Sequence, residues 1–553
     1  MGIPNYFREV VQNYRNILQI YKSNSIKIDN LYLDANSIIY DSVKRLTDQK
    51  IKITNQLVLQ ETLKKIKSYI LEIKPIKSVF VAFDGVAPAA KLKQQKSRRY
   101  KSYIEKELKT NNLNKTNNLN KLNFNETDIY DKRDTGWSTI CITPGTEFMN
   151  KLSRYMYKNL NNPSEFNLQE LIVSGPDEYG EGEHKIYTKI RENKKYHLST
   201  TTVIYGLDAD LLMLSLLHLQ YTKYLYLYRE TPEFIKSIDS TLKPDCGYVL
   251  DIVKMGNTIV KDISRKIGYK KDIDIYKNKT NLLRDYVTLC FFLGNDFLPH
   301  FPALDIRNDG MTYLFQAFAD TIRHFKTITS NDRINWKSIK HFVKVLSKLE
   351  EKQFVMRLKK TNNLSKKIKQ QLGVHTTEYI LNNIPVLDNR IEMYVNPNEN
   401  GWETRYYNRL FNSEPTDITK SQISENYLQG IEWTFNYYNG LDTNWDWMYK
   451  YQYPPLLVDL FNYIPHYNKK FIEPQNTNPV SPYVQLSYVL PSRYFYLLPE
   501  RITKELKDNY PELYNETSNA VCWAYCRYFW ESHVDYDVDL NKIKNIIKQL
   551  CFY

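Results

Sequence analysis

Cysteine is scarce in this chain: six of its 553 residues are cysteines, and they are scattered. Cys522 and Cys526 form the one close pair, in an aromatic, helix-like stretch. The sequence has no Cys-x-x-Cys pair and no combined Cys and His spacing typical of zinc ligands. It therefore indicates neither a zinc site nor a disulfide framework. We expect an intracellular protein in a reducing compartment, the cytoplasm rather than the nucleus.

Long apolar runs are also missing. No run reaches the roughly 18 apolar residues that a membrane-spanning helix needs. The first residues, MGIPNYF, lack the basic and then apolar layout of a signal peptide. The sequence therefore predicts neither a membrane protein nor a secreted one.

The chain does carry an excess of positive charge. Lys and Arg number 76 against 62 Asp and Glu, which gives a formal net charge of +14. One explanation is the lysine enrichment of an AT-rich genome, which the abundance of Asn, Ile and Tyr also favours. The other is a polyanionic partner such as nucleic acid.

The first 300 residues alternate strand and helix patterns. Strand-like runs include LYLDAN, SVFVAFDG, LQELIVSG, TTVIYGLD and YLYLYRE, and amphipathic or apolar helical patterns lie between them. This alternation predicts an α/β fold with a mostly parallel sheet flanked by helices. Ligands of such sheets bind beyond the carboxyl ends of the strands.

The pattern changes after about residue 320, so we predict domains at 1–320 and 321–553. The second is expected to be mainly helical, aromatic-rich and packed against the first. Within it, residues 385–430 look irregular, because NPNENG and NSEPTD are turn signals. Residues 108–130 are rich in Asn and Lys, and we predict a mobile insertion there.

Acidic residues gather in five short clusters, four of which sit at or just past an apolar, strand-like run. Acidic side chains at neighbouring strand tips repel one another unless a cation holds them, and hard divalent cations take such oxygen ligands. A pair of metal ions would suit phosphodiester hydrolysis. Helix capping is the alternative for each acid taken alone. The candidates are Asp34, Asp84, Glu181, Glu183, Asp208, Asp210 and Asp296.

A basic segment, KLKQQKSRRYK, begins seven residues after Asp84. If it is helical, Lys91, Gln95, Arg98 and Arg99 share one face. Such a cluster of donors suits a terminal phosphate. A solvated basic face is the alternative.

Aromatic and histidine residues offer weaker signals. Single-strand binders stack bases on aromatic faces, and Trp433, Trp445 and Trp447 are candidates, although core packing explains most of them. His184 and His300 are candidates for contacts with phosphate or metal-bound water, or are structural groups.

Taken together, these motifs resemble the 5′→3′ exoribonuclease (XRN) family. The matching strings include MGIPNYF, LYLDAN, AFDGVAPAAKLKQQKSRRYKS, SGPDEYGEGEHKI, YGLDADLLMLSL and LCFFLGNDFLPHFP, and weaker matches continue to about residue 500. The resemblance implies a metal-dependent 5′-nuclease (PIN-like) core. It also implies processive, Mg²⁺-dependent hydrolysis of single-stranded RNA from a 5′-monophosphate, releasing nucleoside monophosphates. Two Mg²⁺ ions, replaceable by Mn²⁺, would be held by the seven carboxylates.

The resemblance assigns further roles, with departures. Lys91, Gln95, Arg98 and Arg99 match the family's 5′-phosphate pocket, and Pro88 and the segment near Gly2 would line the RNA path. Tyr40 stands where the family commonly has a base-stacking His, so we predict that stacking survives. Its aromatic partner is Trp445 or Trp447. We expect a monomer without the scaffolding roles of longer members, and the composition suggests a large DNA virus or an AT-rich protist as the source.

Two other functions compete with this one. A structure-specific 5′ DNA nuclease would share the metal–carboxylate core, but the expected glycine-rich GIxGIG segment is replaced by LPHFPALDIRNDG after Asp296. A catalytically silent RNA-binding protein is the other alternative, which the presence of all seven acids disfavours.

Overall fold

A seven-stranded sheet organises the first half of the chain. Its spatial order is β1-β7-β6-β5-β2-β3-β4. The neighbours from β6 to β4 pair in parallel, whereas β7 pairs antiparallel with both β6 and β1. The strands are β1 Leu18–Ile20, β2 Asn30–Asp34, β3 Ser78–Ala82, β4 Glu170–Ser174, β5 Thr201–Tyr205, β6 Tyr224–Glu230 and β7 Gly247–Asp251.

The computed structural model describes residues 6–22, 26–110, 137–230, 243, 246–267, 279–330, 332–371, 375–473, 479–514, 520–535 and 538–551. Residues 108–110 end a helix, and the rest of the predicted insertion at 108–130 lies outside this set. Among these residues, no helix is both long and apolar enough to cross a bilayer.

Side chains of the central strands alternate between two apolar layers, one on each side of the sheet. Leu31 and Leu33 of β2 join one layer, and Tyr32 joins the other. A strand that is buried on both faces has a continuous apolar run as its sequence. For this reason β2 to β6 could be predicted from the sequence. The prediction of a mostly parallel sheet flanked by helices is confirmed. The short edge strand β1 and the antiparallel β7 were not predicted.

Helices cover both faces of the sheet. Those of the first half are α1 Tyr6–Asn13, α2 Asn36–Asp48, α3 Asn55–Ile73, α4 Ala89–Thr110, α5 Glu147–Asn159, α6 Gly182–Glu192, α7 Lys194–His197, α8 Asp210–His218, α9 Ile252–Ile267 and α10 Lys279–Cys290. Four of them, α2, α4, α6 and α8, start just beyond the carboxyl ends of strands or the loops that follow, so their first turns face one edge of the sheet.

The second half is mainly helical, as predicted, and shares a core with the sheet. Tyr32 and Ile204 of the sheet belong to the same apolar cluster as Trp336, Tyr427 and Trp433. Its helices are α11 Gly310–Phe325, α12 Trp336–Ser347, α13 Glu350–Gln370, α14 Thr377–Asn382, α15 Ile384–Leu387, α16 Arg390–Val395, α17 Trp402–Leu410, α18 Asp417–Asn439, α19 Leu457–Tyr463, α20 Pro482–Val489, α21 Glu500–Asn509 and α22 Leu540–Cys551. The domain boundary at 320 stays a prediction.

Three local predictions are wrong. The apolar run before Asp296 is helical, comprising α10 and a 3₁₀ turn at Phe291–Leu293, because a short buried run has no periodicity that separates helix from strand. The supposedly irregular 385–430 contains the end of α15, all of α16 and α17, and more than half of α18, and its turn signals only separate these helices. The Cys522 region is a two-stranded ribbon, Ala520–Cys522 with His533–Asp535, rather than a helix.

Candidate functional site

Asp34 and Asp84 lie at the carboxyl ends of the adjacent parallel strands β2 and β3. Asp34 is the last residue of β2 and is paired in register with Ala82, the last residue of β3; Asp84 follows two residues later. The pairing of the two strands therefore fixes both carboxylates at one edge of the sheet.

Asn36 and Gly182 hold Asp84 in place. The Asn36 amide donates to Asp84 Oδ2 at 2.5 Å, and the Gly182 N–H donates to Asp84 Oδ1 at 2.7 Å. A Cβ at Gly182 would lie 2.8 Å from Asp34 Oδ1 and 2.9 Å from the carbonyl oxygen of Ala82. Only glycine allows this approach of α6 to the strand ends.

The other acids reach the same edge from helix starts and from one loop. Glu181 immediately precedes α6 and Glu183 is in its first turn. Asp210 is the first residue of α8, and Asp208 stands two positions earlier, after β5. Asp296 follows the 3₁₀ turn after α10. Because β5 and β2 pair directly, all these acids face the point where the strand order reverses, the expected ligand position in such sheets.

Lys91 is inserted among these acids. Its Nζ lies 2.6 Å from Glu181 Oε1 and 2.8 Å from Asp296 Oδ2, and its side chain is largely buried. Burial disfavours the ammonium, but Asp296 and Glu181 more than compensate, so the pKa of Lys91 is raised well above its usual value. We call the seven carboxylates with Lys91 the acidic centre.

One lysine does not neutralise the acidic centre. Burial, followed by repulsion from Asp84 and Asp208, raises the pKa of Asp34 well above its usual value. Burial and then Asp296 raise the pKa of Asp210 to about 7. Asp210 Oδ1 is also buried without a hydrogen-bond partner. A buried acceptor with no donor, next to like charges, fits a cation with oxygen ligands.

The carboxylates do not converge on a single point, however. Within the described part of the chain, the one set of three metal-type ligand atoms all within 4.8 Å of one another is Asp320, His324 and His341, in the helical region. The acidic centre is therefore an open array of acids rather than a closed shell around one ion.

The basic segment is helical, as predicted: it forms the first part of α4. All four predicted phosphate ligands line one cavity of about 310 Å³ together with five of the seven acids, Asp34, Asp84, Glu181, Glu183 and Asp208. Asp210 and Asp296 do not line this cavity, but Asp296 forms an ion pair with Lys91, which does. The phosphate ligands are Lys91, Gln95, Arg98 and Arg99.

The side chains of the basic face differ in their hydrogen-bond and ion-pair partners. Arg99 donates to Thr143 Oγ1 at 2.6 Å and to the carbonyl oxygen of Gln95 at 3.2 Å. Burial, with Arg98 nearby, lowers the pKa of Arg99 to about 10, so it stays charged at neutral pH. Gln95 Oε1 is buried without a hydrogen-bond partner. Lys91 differs from the prediction, because its amine already contacts two acids.

The opposite wall of the cavity was not predicted. It comes from a 3₁₀ turn at Thr139–Cys141 and the residues that follow, including Ile142 and Pro144. Residues 139–144, TICITP, carry no charge and no clear periodicity, so the sequence does not predict a wall here. This segment encloses the basic face of α4 and so limits the size of a group that can bind there.

Tyr40 and Pro88 are placed differently with respect to the cavity. Tyr40, on α2, lines it and is 41% exposed, so its ring is accessible. Pro88 is buried just before α4, where its carbonyl accepts from the N–H groups of Lys91 and Leu92. It thus offers little surface in this structure, and its place on the RNA path stays a prediction. Gly2 lies outside the described residues.

The two candidate stacking tryptophans, Trp445 and Trp447, differ in exposure. Trp447 is 8% exposed and stacks on Trp433, with ring centroids 5.4 Å apart, so it is a core residue. Trp445 is partly exposed and lines a different cavity, of about 640 Å³, beside His184 and Tyr437. Tyr40 and Trp445 therefore lie on separate cavities.

Both candidate histidines are neutral and packed. The His184 ring lies against Tyr437 with 3.6 Å between centroids, and burial lowers its pKa well below the usual value. Burial and then Arg357 lower the pKa of His300 to about 4. Neither imidazole would carry a charge to a phosphate at neutral pH.

Comparisons with known proteins cover nearly all of this architecture. A family model described as "XRN 5′-3′ exonuclease N-terminus" matches residues 1–231. A second, described as "Xrn1 helical domain", matches residues 276–390 and 386–526. Both the acidic centre and the basic face of α4 fall within these matches.

Curated proteins give the same result. The chain is 26% identical to 5′-3′ exoribonuclease 2 of Arabidopsis thaliana, over 90% of this chain and 62% of that protein. It is 28% identical to human 5′-3′ exoribonuclease 1, over 90% of this chain and 31% of the relative. It is 32% identical to 5′-3′ exoribonuclease 1 of Saccharomyces cerevisiae, over 63% of this chain and 23% of the relative. The chain thus spans less than two thirds of the length of each.

Proposed function

The chain belongs to the XRN 5′-3′ exonuclease family, and on that premise we propose that it is a processive 5′→3′ exoribonuclease acting on single-stranded RNA with a 5′-monophosphate. Its products would be nucleoside monophosphates. One observation carries the proposal: the acids and the basic face of α4 line the same cavity. A terminal phosphate and the adjoining phosphodiester can therefore be held at once.

The basic face suits the 5′-phosphate. Arg98 and Arg99 supply charged donors, and Gln95 supplies an amide, all on successive turns of a rigid helix. A phosphate monoester carries more charge than an internal phosphodiester, so several converging donors favour the chain end. The wall that follows Thr139 closes the other side, and we infer that it disfavours a triphosphate or a cap.

The acidic centre suits divalent cations, and we propose two Mg²⁺ ions, with Mn²⁺ as a substitute. When bound, they would supply an activated water and stabilise the departing 3′-oxygen. Around them, the carboxylates act as ligands. Asn36 and Gly182 orient Asp84, and Lys91 forms ion pairs with Glu181 and Asp296 beside the phosphate donors.

Aromatic contacts would orient the bases. Tyr40 is the accessible ring in the cavity, so we propose that it stacks on the base next to the docked phosphate. Trp445, rather than the buried Trp447, is the second candidate, on the neighbouring cavity. The cytoplasmic location, the monomeric state and the viral or protist source stay predictions.

The test uses one 3′-labelled RNA bearing a 5′-monophosphate, a 5′-triphosphate or a 5′-hydroxyl, with Mg²⁺ and purified protein. We expect decay of the monophosphorylated RNA alone, with release of mononucleotides. Asp208→Ala should abolish the decay while RNA binding persists. Faster cleavage of matched single-stranded or flapped DNA would favour the DNA nuclease, and binding without turnover in Mg²⁺ or Mn²⁺ would favour the silent RNA-binding protein.

A charge-matched pair of variants tests the basic face. Arg99→Gln removes a partly buried charged donor that lines the cavity, whereas Lys366→Gln removes one positive charge from the exposed surface of α13. We expect Arg99→Gln to reduce the preference for monophosphate over hydroxyl ends by about tenfold to a hundredfold, since a hydrogen bond to a charged group contributes about 1.5–3 kcal/mol. Lys366→Gln should leave the preference unchanged. An unchanged preference in both variants would contradict the assignment of the phosphate pocket.

A further inference from the structure

A second cluster of metal-type ligands lies in the helical region, away from the acidic centre. From its composition and geometry we propose that Asp320, His324 and His341 bind one transition-metal ion, of the Zn²⁺ class, that links α11 to α12. The sequence analysis did not predict this cluster, because the ligands come from two helices and their spacing matches no zinc motif.

The helices bring the three residues together for simple geometric reasons. Asp320 and His324 are four residues apart on α11, so their side chains project from one face. The chain then turns through a short ribbon, Thr329–Ser330 with Arg333–Ile334, and returns as α12, which carries His341. Beneath the cluster, apolar side chains of both helices join the main core, including Phe318, Ile322, Ile339 and Phe342.

The three ligand atoms are already near the required separations. All lie within 4.8 Å of one another, and His341 Nε2 is 2.8 Å from Asp320 Oδ2. Zn–N and Zn–O bonds of about 2.0–2.2 Å place the ligand atoms of a tetrahedral site about 3.4 Å apart. The exposed His324 needs only a small side-chain movement to close that gap. Its ring already lies 4.8 Å from the His341 ring, measured between centroids.

The donor set determines the class of metal. Two imidazoles and one carboxylate suit Zn²⁺, Co²⁺ or Ni²⁺, whereas Mg²⁺ prefers oxygen ligands. Asp320 supplies the carboxylate, whose Oδ2 already lies 2.8 Å from His341 Nε2. Three protein ligands leave a fourth position for water, because the site is partly exposed. The two metal sites should therefore select different ions.

That selectivity defines the experiment. The full-length protein is stripped with chelator, saturated with Mg²⁺ to occupy the acidic centre, and titrated with Zn²⁺ by calorimetry. We expect one Zn²⁺ per chain, bound more than about tenfold more weakly after His324→Ala or His341→Ala. Substitution with Co²⁺ should give the visible absorption of a low-coordinate site in the natural sequence and not in these variants.

Matched controls keep this result separate from the exonuclease proposal. His375→Ala removes a histidine that stacks on Tyr379 and belongs to no such cluster among the described residues, so Zn²⁺ binding should be unchanged. Asp34→Asn disables the acidic centre and should also leave the Zn²⁺ isotherm unchanged. Identical isotherms for the natural sequence and the His324→Ala/His341→Ala double variant would overturn the proposal. Zn²⁺ raising the melting temperature of both proteins equally would do so too.

Discussion

Two sites in this protein hold buried carboxylates, but they differ in the hydrogen-bond donors that the carboxylate oxygens meet. In the helical region, Glu350 at the start of α13 is 3% exposed. Its two oxygens accept hydrogen bonds from the N–H groups of Leu457 at 2.7 Å and Val458 at 3.1 Å. These groups open α19, so the carboxyl caps a helix whose first donors would otherwise be unpaired.

In the acidic centre, Asp210 lacks comparable donors. Asp210 is 4% exposed, and its Oδ1 has no hydrogen-bond partner. Burial and then Asp296 raise its pKa to about 7. Burial also raises the pKa of Glu350, to about 8. A raised pKa therefore does not separate a structural acid from a functional one. The two residues differ in their donors, because both oxygens of Glu350 accept backbone N–H groups and Asp210 Oδ1 has no hydrogen-bond partner.

The largest expected effect comes from removing one charge from the acidic centre. Asp34→Asn should reduce RNA decay on the order of a thousandfold, as expected for loss of an electrostatic stabiliser of the transition state. The same change should not lower the melting temperature in chelator, and we expect it to rise, because Asp34 repels Asp84 and Asp208. Decay assays and thermal unfolding measure the two effects.

Asp177→Asn is the matched control for that experiment. Asp177 lies in the same SGPDEYGEGEHKI segment, but its carboxylate accepts from Ser153 and Tyr157 and lies outside the cavity of the acidic centre. Its loss should cost stability and leave RNA decay within about twofold of the natural rate. If Asp34→Asn instead destabilised the protein and kept its activity, the contrast between the two sites would be broken.

Glu350→Ala should lower the stability and leave the activity unchanged, the reverse of what we expect for Asp34→Asn. It leaves two backbone N–H groups without acceptors and opens a small cavity, so we expect a loss of about 2–4 kcal/mol in the free energy of unfolding. RNA decay per folded molecule should be unchanged at low temperature. Urea unfolding and active-site titration with labelled RNA give the two quantities. A loss of activity without a loss of stability would mean that Glu350 is functional after all.

Mg²⁺ should also affect the stability of variants at the two sites differently. Mg²⁺ at a hundredfold excess over its dissociation constant should stabilise the natural protein by about 2.7 kcal/mol, because binding favours the folded state. The increase should be much smaller in Asp34→Asn and fully retained in Glu350→Ala. Thermal unfolding with and without Mg²⁺ measures it. Equal stabilisation of the natural protein and Asp34→Asn would place the cation elsewhere.

The sequence could predict the parts of this molecule that depend on local pattern. The buried strands β2 to β6 are continuous apolar runs, and the acids after β2, β3 and β5 follow from strand ends that meet at one edge. The basic face of α4 followed from helical spacing alone. Glu350 could not be recognised as a helix cap, because its partners lie more than a hundred residues away in sequence.

Other features depended on packing that no local pattern shows. Lys91 was predicted as a phosphate ligand from its position on the helix, but its contacts with Glu181 and Asp296 join distant segments. Trp445 and Trp447 are equivalent in the sequence, and only the stack on Trp433 shows that Trp447 is a core residue. The helices of 385–430 were missed because their turn signals are dense and their apolar faces are short.

The last prediction, which tests the cause of the raised pKa values, is the pH dependence of Glu350. Burial raises its pKa, whereas the two backbone N–H groups lower it, and burial is the larger effect. The folded state then holds a proton that the unfolded state releases above its usual pKa of 4.5. The natural protein should therefore lose stability relative to Glu350→Gln as the pH rises from about 5 to about 8, by at most about 1.4 kcal/mol per pH unit. Urea unfolding of both proteins across this range measures the difference. If the backbone donors prevailed instead, the carboxylate would be favoured in the folded state, and the natural protein would gain stability over Glu350→Gln as its carboxyl ionised.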